Sequence, residues 1–129
     1  MKRLLLDTHV LLWWLTDDPK LGTNARELIS NANNEIYVSA ASSWEISIKK
    51  RNGKLTGPDN IDRVVEQERF NKLPISLIHG EAAGQLPDHH KDPFDRMLIA
   101  QALKEKLTIL TTDEKIQHYD AAVVMVTEE

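Results

Sequence analysis

The chain contains no cysteine among its 129 residues. This absence excludes disulfide bonds, zinc–thiolate sites and catalysis by a thiol, and it is compatible with a reducing cytoplasm. No apolar run approaches the ~20 residues that a membrane-spanning helix needs. Lys2 and Arg3 precede a short apolar run, but Asp7 interrupts it and no small-residue cleavage site follows, which argues against a signal peptide. The sequence therefore predicts a soluble, cytoplasmic protein.

An excess of positive charge is also lacking, because 16 lysines and arginines face 20 acidic residues and the formal net charge is −4. Bulk positive charge therefore does not supply an affinity for nucleic acid. Metal ions bound by several of the acids would offset much of the negative charge. Hydrophobic residues make up 41% of the chain and charged residues 28%, which is typical of a globular protein, and the length fits one domain over residues 1–129.

Short apolar runs alternate with helical segments along the chain. Strands are predicted at residues 4–6, 36–38, 73–77, 108–110 and 122–126, and Pro74 favours an edge position for residues 73–77. Helices are predicted at residues 10–15, 24–30, 42–51, 61–70, 81–86, 94–106 and 113–118. This alternation implies right-handed βαβ units, and hence an α/β fold with a mainly parallel central sheet flanked by helices.

Four carboxylates are expected to meet at one edge of this sheet. Asp7 directly follows the first predicted strand, and Asp113 comes three residues after the strand at 108–110. Glu45 and Asp95 each lie in the first turn of a predicted helix that leaves the same edge. Because ligands of open α/β sheets bind outside the carboxyl ends of the strands, the sequence predicts one acidic cleft.

Such a cluster favours a divalent metal ion, because carboxylates close together raise one another's pKa and a cation removes that cost. Magnesium prefers oxygen ligands. The lack of cysteine and of a His-x-x-x-His pair points away from zinc. A bound ion would lower the pKa of a water molecule and stabilise charge on a phosphoryl group.

Each acid also has a purely structural interpretation. Ser42 and Glu45 match a capping box at a helix start. Asp7, Asp95 and Asp113 all suit the N-terminal ends of helices. The coincidence of all four acids at one edge favours the functional interpretation.

Four segments resemble the acidic motifs of PIN domains, in the same order and over nearly the whole chain. They are Leu-Leu-Leu-Asp-Thr-His at residues 4–9, Ser-Ala-Ala-Ser-Ser-Trp-Glu at 39–45, Asp-Pro-Phe-Asp-Arg-Met-Leu-Ile-Ala-Gln-Ala at 92–102 and Leu-Thr-Thr-Asp at 110–113. Within this family, the compact length and the Asp-Pro-Phe-Asp-Arg run look most like VapC-type toxins.

The resemblance implies a Mg²⁺-dependent endoribonuclease, with Mn²⁺ as a substitute, that hydrolyses RNA phosphodiester bonds as the toxin of a type II toxin–antitoxin pair. Asp7 and Asp95 would be the principal metal ligands. Glu45 and Asp113 would complete the acidic site, directly or through water. The resemblance further implies an antitoxin protein that binds tightly, and a homodimer. Possible supporting residues are Thr8, Asp92, Arg96 and Thr112.

The remaining polar features are two threonines, a basic run and a pair of histidines. Where many relatives have an asparagine near the fourth acid, this chain has Thr111 and Thr112, whose hydroxyls can orient a carboxylate or a water. The basic run around Lys49 and Arg51 either contacts RNA phosphates or is a solvated helix end. The adjacent histidines at 89 and 90 are expected to point in different directions, and no histidine is assigned a catalytic role.

Two other functions are considered. An aspartyl-phosphate phosphatase of the haloacid dehalogenase type also has an aspartate after its first strand, but its chemistry needs a second aspartate two residues later, where this chain has His9. A catalytically silent PIN-like module that binds RNA or protein is the other alternative. The presence of all four acids argues against such a loss of catalysis.

Overall fold

The computed structural model describes residues 1–126. Its strands form one parallel sheet. The last three residues of the predicted domain lie outside this range. The sheet order is β3-β2-β1-β4-β5, and every pairing is parallel. The strands are β1 Arg3–Leu6, β2 Glu35–Ser39, β3 Asn71–Leu73, β4 Thr108–Thr111 and β5 Ala122–Met125. The predicted α/β fold is therefore confirmed.

Helices pack on both faces of this sheet. They are α1 Thr8–Leu15, α2 Thr23–Ser30, α3 Ala40–Arg51, α4 Ile61–Gln67, α5 Leu77–Gln85 and α6 Pro93–Glu105, and a short 3-10 helix covers Glu114–His118. Within residues 1–126, none of the helices has the length and apolar character to span a membrane.

The central strand β1 is buried on both faces, which explains its uninterrupted run of leucines. Leu4 and Leu6 belong to one hydrophobic core, which α1 and α2 cover, whereas Leu5 belongs to the other, which α6 covers through Leu98 and Ile99. Successive side chains of a strand point to opposite faces, so a strand covered on both sides needs apolar residues at every position.

The longest helix, α6, begins and ends where its sequence provides the caps. Asp92 accepts hydrogen bonds from the amides of Phe94 and Asp95, and Pro93 occupies the first turn, where a missing N–H costs nothing. Lys106 ends the helix in the left-handed region with φ 57°. The helix predicted at residues 94–106 is confirmed with a shift of one residue at each end.

The strand predicted at residues 73–77 is wrong in its position. The strand is β3, Asn71–Leu73, and it ends before Pro74, which cannot donate a ladder hydrogen bond. The predicted edge position is confirmed, because β3 is the outermost strand beside β2.

The helix predicted at residues 81–86 begins four residues earlier, at Leu77. Ser76 accepts a hydrogen bond from the amide of His79, and the His79 ring accepts one from the amide of Ser76. This arrangement is a capping box in which histidine takes the place of the usual glutamate or glutamine. The sequence pattern does not reveal the helix start because histidine is not the residue expected there.

Candidate active site

The carboxyl edge of the sheet between β1 and β4 is a topological switch point. From β1 the sheet extends through β2 to β3 on one side, and through β4 to β5 on the other. Ligands of open α/β sheets bind in the crevice at such a point. Asp7 directly follows β1, and Asp113 lies two residues beyond β4. Two of the four predicted acids therefore stand at this crevice because of the strand order.

Asp7 is buried at the start of α1, with a side chain held by two partners. Its Oδ1 accepts a hydrogen bond of 2.8 Å from the amide of Val10, and its Oδ2 accepts a short one from the hydroxyl of Thr111 at the end of β4. Burial raises the pKa of Asp7, although the bonds from Thr111 and Val10 oppose this shift. Asp7 is thus both a helix cap and a buried carboxylate in the crevice.

Asp95 lies in the first turn of α6, as predicted, and it faces the other acids. Burial, followed by repulsion from Asp92, Asp7 and Glu45, raises the pKa of Asp95 to about 7, while His90 opposes the shift. Like charges raise a carboxyl pKa only across short distances. The acids from β1, α3 and α6 therefore share one electrostatic site.

Glu45 lies in the second turn of α3, which corrects its predicted position in the first turn. The helix begins at Ala40 and is capped by the side chain of Ser39, so the capping-box interpretation of Ser42 and Glu45 is wrong. Glu45 is buried, and its Oε1 accepts a hydrogen bond of 2.7 Å from the hydroxyl of Thr8. Ser42 then donates to Thr8 over 3.0 Å, because a hydroxyl has only one proton to give.

Lys49 is the cation of the site. One turn after Glu45 on α3, its ammonium forms a short ion pair with Glu45 Oε2. The hydrogen bond to Glu45 and the charges of Glu45, Asp92 and Asp95 raise the pKa of Lys49. Lys49 therefore differs from its neighbour in the basic run, because Lys50 pairs with Asp59 outside the site.

Asp113 caps the 3-10 helix and contacts a histidine. Its Oδ1 accepts a hydrogen bond of 2.9 Å from the amide of Lys115, and its Oδ2 lies 2.7 Å from Nε2 of His90. Burial alone would raise the pKa of Asp113, but the Lys115 amide and the His90 ring together hold it below its usual value.

His90 is the functional residue that the sequence analysis missed. It is buried at 7% exposure, and its Nε2 lies 2.9 Å from Asp95 and 2.7 Å from Asp113. The expectation that the two histidines diverge is confirmed, because the His89 ring packs on Tyr119 instead. A histidine two residues before the helix cap Asp92 has no spacing that marks it, so contact with the acids emerges only in three dimensions.

The predicted supporting residues differ in what they contact. The Thr8 hydroxyl binds Glu45, and Asp92 caps α6 while its charge acts on Asp95. Thr112 is exposed, and its backbone amide rather than its hydroxyl acts on Asp7. The hydroxyl that orients Asp7 belongs to the neighbouring Thr111.

Arg96 holds the loop that carries His90. Its guanidinium donates to four backbone carbonyls at 2.8 to 3.1 Å, and Asp88 lies at 3.6 Å. One of the carbonyls is that of His90 itself. Arg96 thus organises this loop, which is a supporting role at the site. The other carbonyls are those of Ala83, Leu86 and Pro87.

Replacing Arg96 with lysine is expected to destabilise the fold by about 1–3 kcal/mol, because one ammonium cannot reproduce the planar fork and leaves partly buried carbonyls without donors. Urea unfolding measures the change. Arg63→Lys, at an exposed position on α4, is the matched control and is expected to be neutral. Equal stability of the two variants would show that the four carbonyl contacts contribute nothing.

The donor set fits a hard divalent cation. Asp7, Glu45, Asp92, Asp95 and Asp113 are carboxylates, and Lys49 balances only part of their charge. Burial and the repulsion between these acids together raise the pKa of Asp95 to about 7. Oxygen donors are the ligands that Mg²⁺ and Mn²⁺ prefer. Among the described residues, three side chains each offer one possible ligand atom, and these atoms lie within 4.8 Å of one another. The three residues are Asp95, Asp113 and His90.

The parallel sheet and the acidic crevice at its switch point together define a class of protein. Comparison of the sequence with known families identifies this class. A family model for the PIN domain matches residues 4–122. The chain belongs to the PIN domain family, as its motifs predicted.

Two ribonucleases are similar to this chain in sequence. Ribonuclease VapC22 of Mycobacterium tuberculosis (strain ATCC 25618 / H37Rv) is 25% identical over 122 residues, which cover 92% of this chain and 93% of the relative. Ribonuclease VapC16 of the same strain is 35% identical over 71 residues, half of each chain. The chain is therefore similar in sequence to proteins named as VapC ribonucleases.

Solved structures share the fold at low sequence identity. VapBC2 from Rickettsia felis, bound to a DNA fragment from its promoter, matches with a TM-score of 0.69 at 16% identity, over 95% of this chain and 98% of that chain. A toxin–antitoxin complex from Klebsiella pneumoniae matches with a TM-score of 0.68 at 19% identity, over 97% of both chains.

Proposed function

We propose that this protein is a metal-dependent endoribonuclease that hydrolyses RNA phosphodiester bonds, with Mg²⁺ as its ion and Mn²⁺ as a substitute. The observation that carries the proposal is the group of carboxylates at the switch point, where burial and the charges of Asp92, Asp7 and Glu45 raise the pKa of Asp95 to about 7. The similarity to two proteins named as ribonucleases supports the reaction class.

Asp7 and Asp95 would hold the ion between the end of β1 and the start of α6. When bound, a divalent ion lowers the pKa of a water molecule and stabilises negative charge on the phosphoryl group. Thr111 and the Val10 amide orient the Asp7 carboxylate towards the crevice. Thr8 and Lys49 hold Glu45 in a buried position, so the acids are arranged before the ion arrives.

A groove of about 360 Å³, lined mainly by α3, α5 and α6, supports RNA as the substrate class. It is lined by Trp44 and Phe94, which directly precede Glu45 and Asp95, and Lys91 lies in its wall. Trp44 is 59% exposed and packs edge-on against Phe94 with ring centroids 5.1 Å apart. Exposed aromatic rings provide stacking surfaces for the bases of single-stranded RNA.

We further propose that the protein is the toxin of a type II pair and is inhibited by an antitoxin protein. Solved toxin–antitoxin complexes share its fold. Leu77 and Ile78, exposed at 89% and 62% at the start of α5, provide apolar surface of the kind that protein partners cover. The homodimer and the cytoplasmic location stay predictions.

The test is cleavage of cellular RNA by the purified protein. Chelation of divalent ions is expected to abolish cleavage, and Mg²⁺ or Mn²⁺ to restore it. Asp95→Asn, purified in the same way, is expected to be inactive but folded, which separates the activity of the chain from a contaminating nuclease. Metal-loaded protein that leaves a broad panel of RNAs intact would instead favour the silent binding module.

The phosphatase alternative loses support at His9. That chemistry needs an acid at this position beside Asp7, whereas His9 is exposed on α1 with its ring packed near Trp13.

A further inference from the structure

The ring of His90 lies between two acids of the site that come from different elements. Its Nε2 is 2.7 Å from Oδ2 of Asp113, after β4, and 2.9 Å from Oδ2 of Asp95, on α6. The ring is nine-tenths buried. A histidine in such a position acts either as a nitrogen ligand of the ion or as a hydrogen-bond donor to the carboxylates.

The other ring nitrogen decides between these roles. Nδ1 of His90 accepts a hydrogen bond of 3.2 Å from the amide of Asp92. A nitrogen that accepts a hydrogen bond carries no proton, so the proton of the neutral ring is on Nε2. Nε2–H then donates to Asp113, and it has no lone pair left for a metal ion.

The protein also fixes the ring through the backbone of His90. The amide of His90 donates to the hydroxyl of Tyr119 over 2.9 Å, and its carbonyl accepts from Arg96 over 3.1 Å. Together with the hydrogen bond from the Asp92 amide to Nδ1, these two contacts fix His90 by three hydrogen bonds. The donor is therefore positioned before any ligand binds.

We propose that His90 is a positioning residue, which holds Asp113 beside Asp95 through a neutral Nε2–H donor and does not coordinate the ion. This role rests on the metal-dependent function proposed above. Both oxygens of Asp113 then have donors, Lys115 on Oδ1 and His90 on Oδ2. Asp113 thus acts on the ion from a fixed position at the edge of the crevice. Asp7 and Asp95 bind the ion.

Two substitutions separate the two ends of the ring. The amide nitrogen of glutamine reaches the place of Nε2, so His90→Gln keeps a donor to Asp113 and loses the acceptor for Asp92. The side-chain oxygen of asparagine reaches the place of Nδ1, so His90→Asn keeps that acceptor and loses the donor. The pair is matched, because each variant retains one of the two hydrogen bonds.

The measurement is the binding of Mn²⁺ to the RNA-free protein, by calorimetry and by electron paramagnetic resonance of the ion. His90→Asn is expected to weaken Mn²⁺ binding by about tenfold or more, as loss of a residue that orients a metal ligand typically does, and His90→Gln by less than about threefold. Equal affinities in the two variants, whether both weakened or both unchanged, would overturn the positioning role. Circular dichroism checks that both variants are folded.

Two spectroscopic readouts on the wild-type protein test the role independently of the variants. Nitrogen-15 NMR of the metal-free protein is expected to show the proton of His90 on Nε2, and a proton on Nδ1 would contradict the proposal. Electron spin-echo modulation of bound Mn²⁺ is expected to show no directly coordinated imidazole nitrogen, and such a nitrogen would make His90 a ligand. Wild-type protein that binds no Mn²⁺ would overturn the metal-dependent function itself, and this role with it.

Discussion

Asp7→Asn is expected to reduce RNA cleavage by more than about 100-fold, because loss of a group that merely orients a metal ligand already costs 10–100-fold. The same substitution is expected to leave the metal-free protein at least as stable as the wild type. Burial raises the pKa of Asp7, so its charged form is held at a cost at neutral pH. An amide removes that cost and keeps an acceptor for the amide of Val10.

Cleavage rates and thermal melting of the same preparations check both halves of this prediction. Asp120→Asn, at an exposed position, is the control and is expected to change neither rate nor melting temperature. An Asp7→Asn variant that cleaves RNA at the wild-type rate would remove Asp7 from the site. A variant that is inactive because it unfolds would show that the Asp7 carboxylate, with its hydrogen bond from Thr111, is needed for folding rather than for metal binding.

The metal-free protein is expected to lose stability as the pH rises from about 4 to about 7. The pKa of Asp95 is raised from 3.8 to about 7 in the folded state, so within this window the folded chain keeps a proton that the unfolded chain releases. The stability linked to this proton is present at low pH and is lost as the pH passes through the folded pKa. Asp113, whose pKa is lowered, acts in the opposite direction and only below its usual range.

Divalent metal is expected to reverse this loss, because the ion binds the deprotonated acids and competes with the proton. Mg²⁺ at 100 times its Kd would stabilise the fold by about 2.7 kcal/mol, and a fixed millimolar concentration is expected to raise the melting temperature more at pH 8 than at pH 5. Melting curves across a pH series, with and without Mg²⁺, measure the effect. Asp95→Asn is expected to flatten both dependences, whereas a pH-independent metal effect in the wild type would contradict the linkage.

Much of the fold follows from local patterns that one sequence contains. The leucines at 4–6 predict a strand, and the structure confirms it as β1, which is buried on both faces at the centre of the sheet. Asp92 and Pro93 mark the start of α6 within one residue. These predictions succeed because strand burial and helix capping depend on neighbouring residues.

The errors concern the first residues of two helices, α3 and α5. Ser39, rather than Ser42, caps α3, so Glu45 moves from a capping position to a buried one in the second turn. His79 takes the place of glutamate in the capping box of α5. For α3, serines stand at positions 39, 42 and 43, and Ser39 is the one that caps the helix.

The surroundings of the four predicted acids depend partly on the local sequence and partly on the tertiary structure. The sequence by itself determined the parallel α/β fold, and that Asp7, Asp95 and Asp113 stand at the ends of strands and the starts of helices. The tertiary structure decided the partners that lie far from each carboxylate along the chain. Thr111 reaches Asp7 across 104 positions of the chain, and His90 reaches Asp113 across 23. Such contacts depend on which strands lie side by side and how a loop is held, and no local pattern of residues records either.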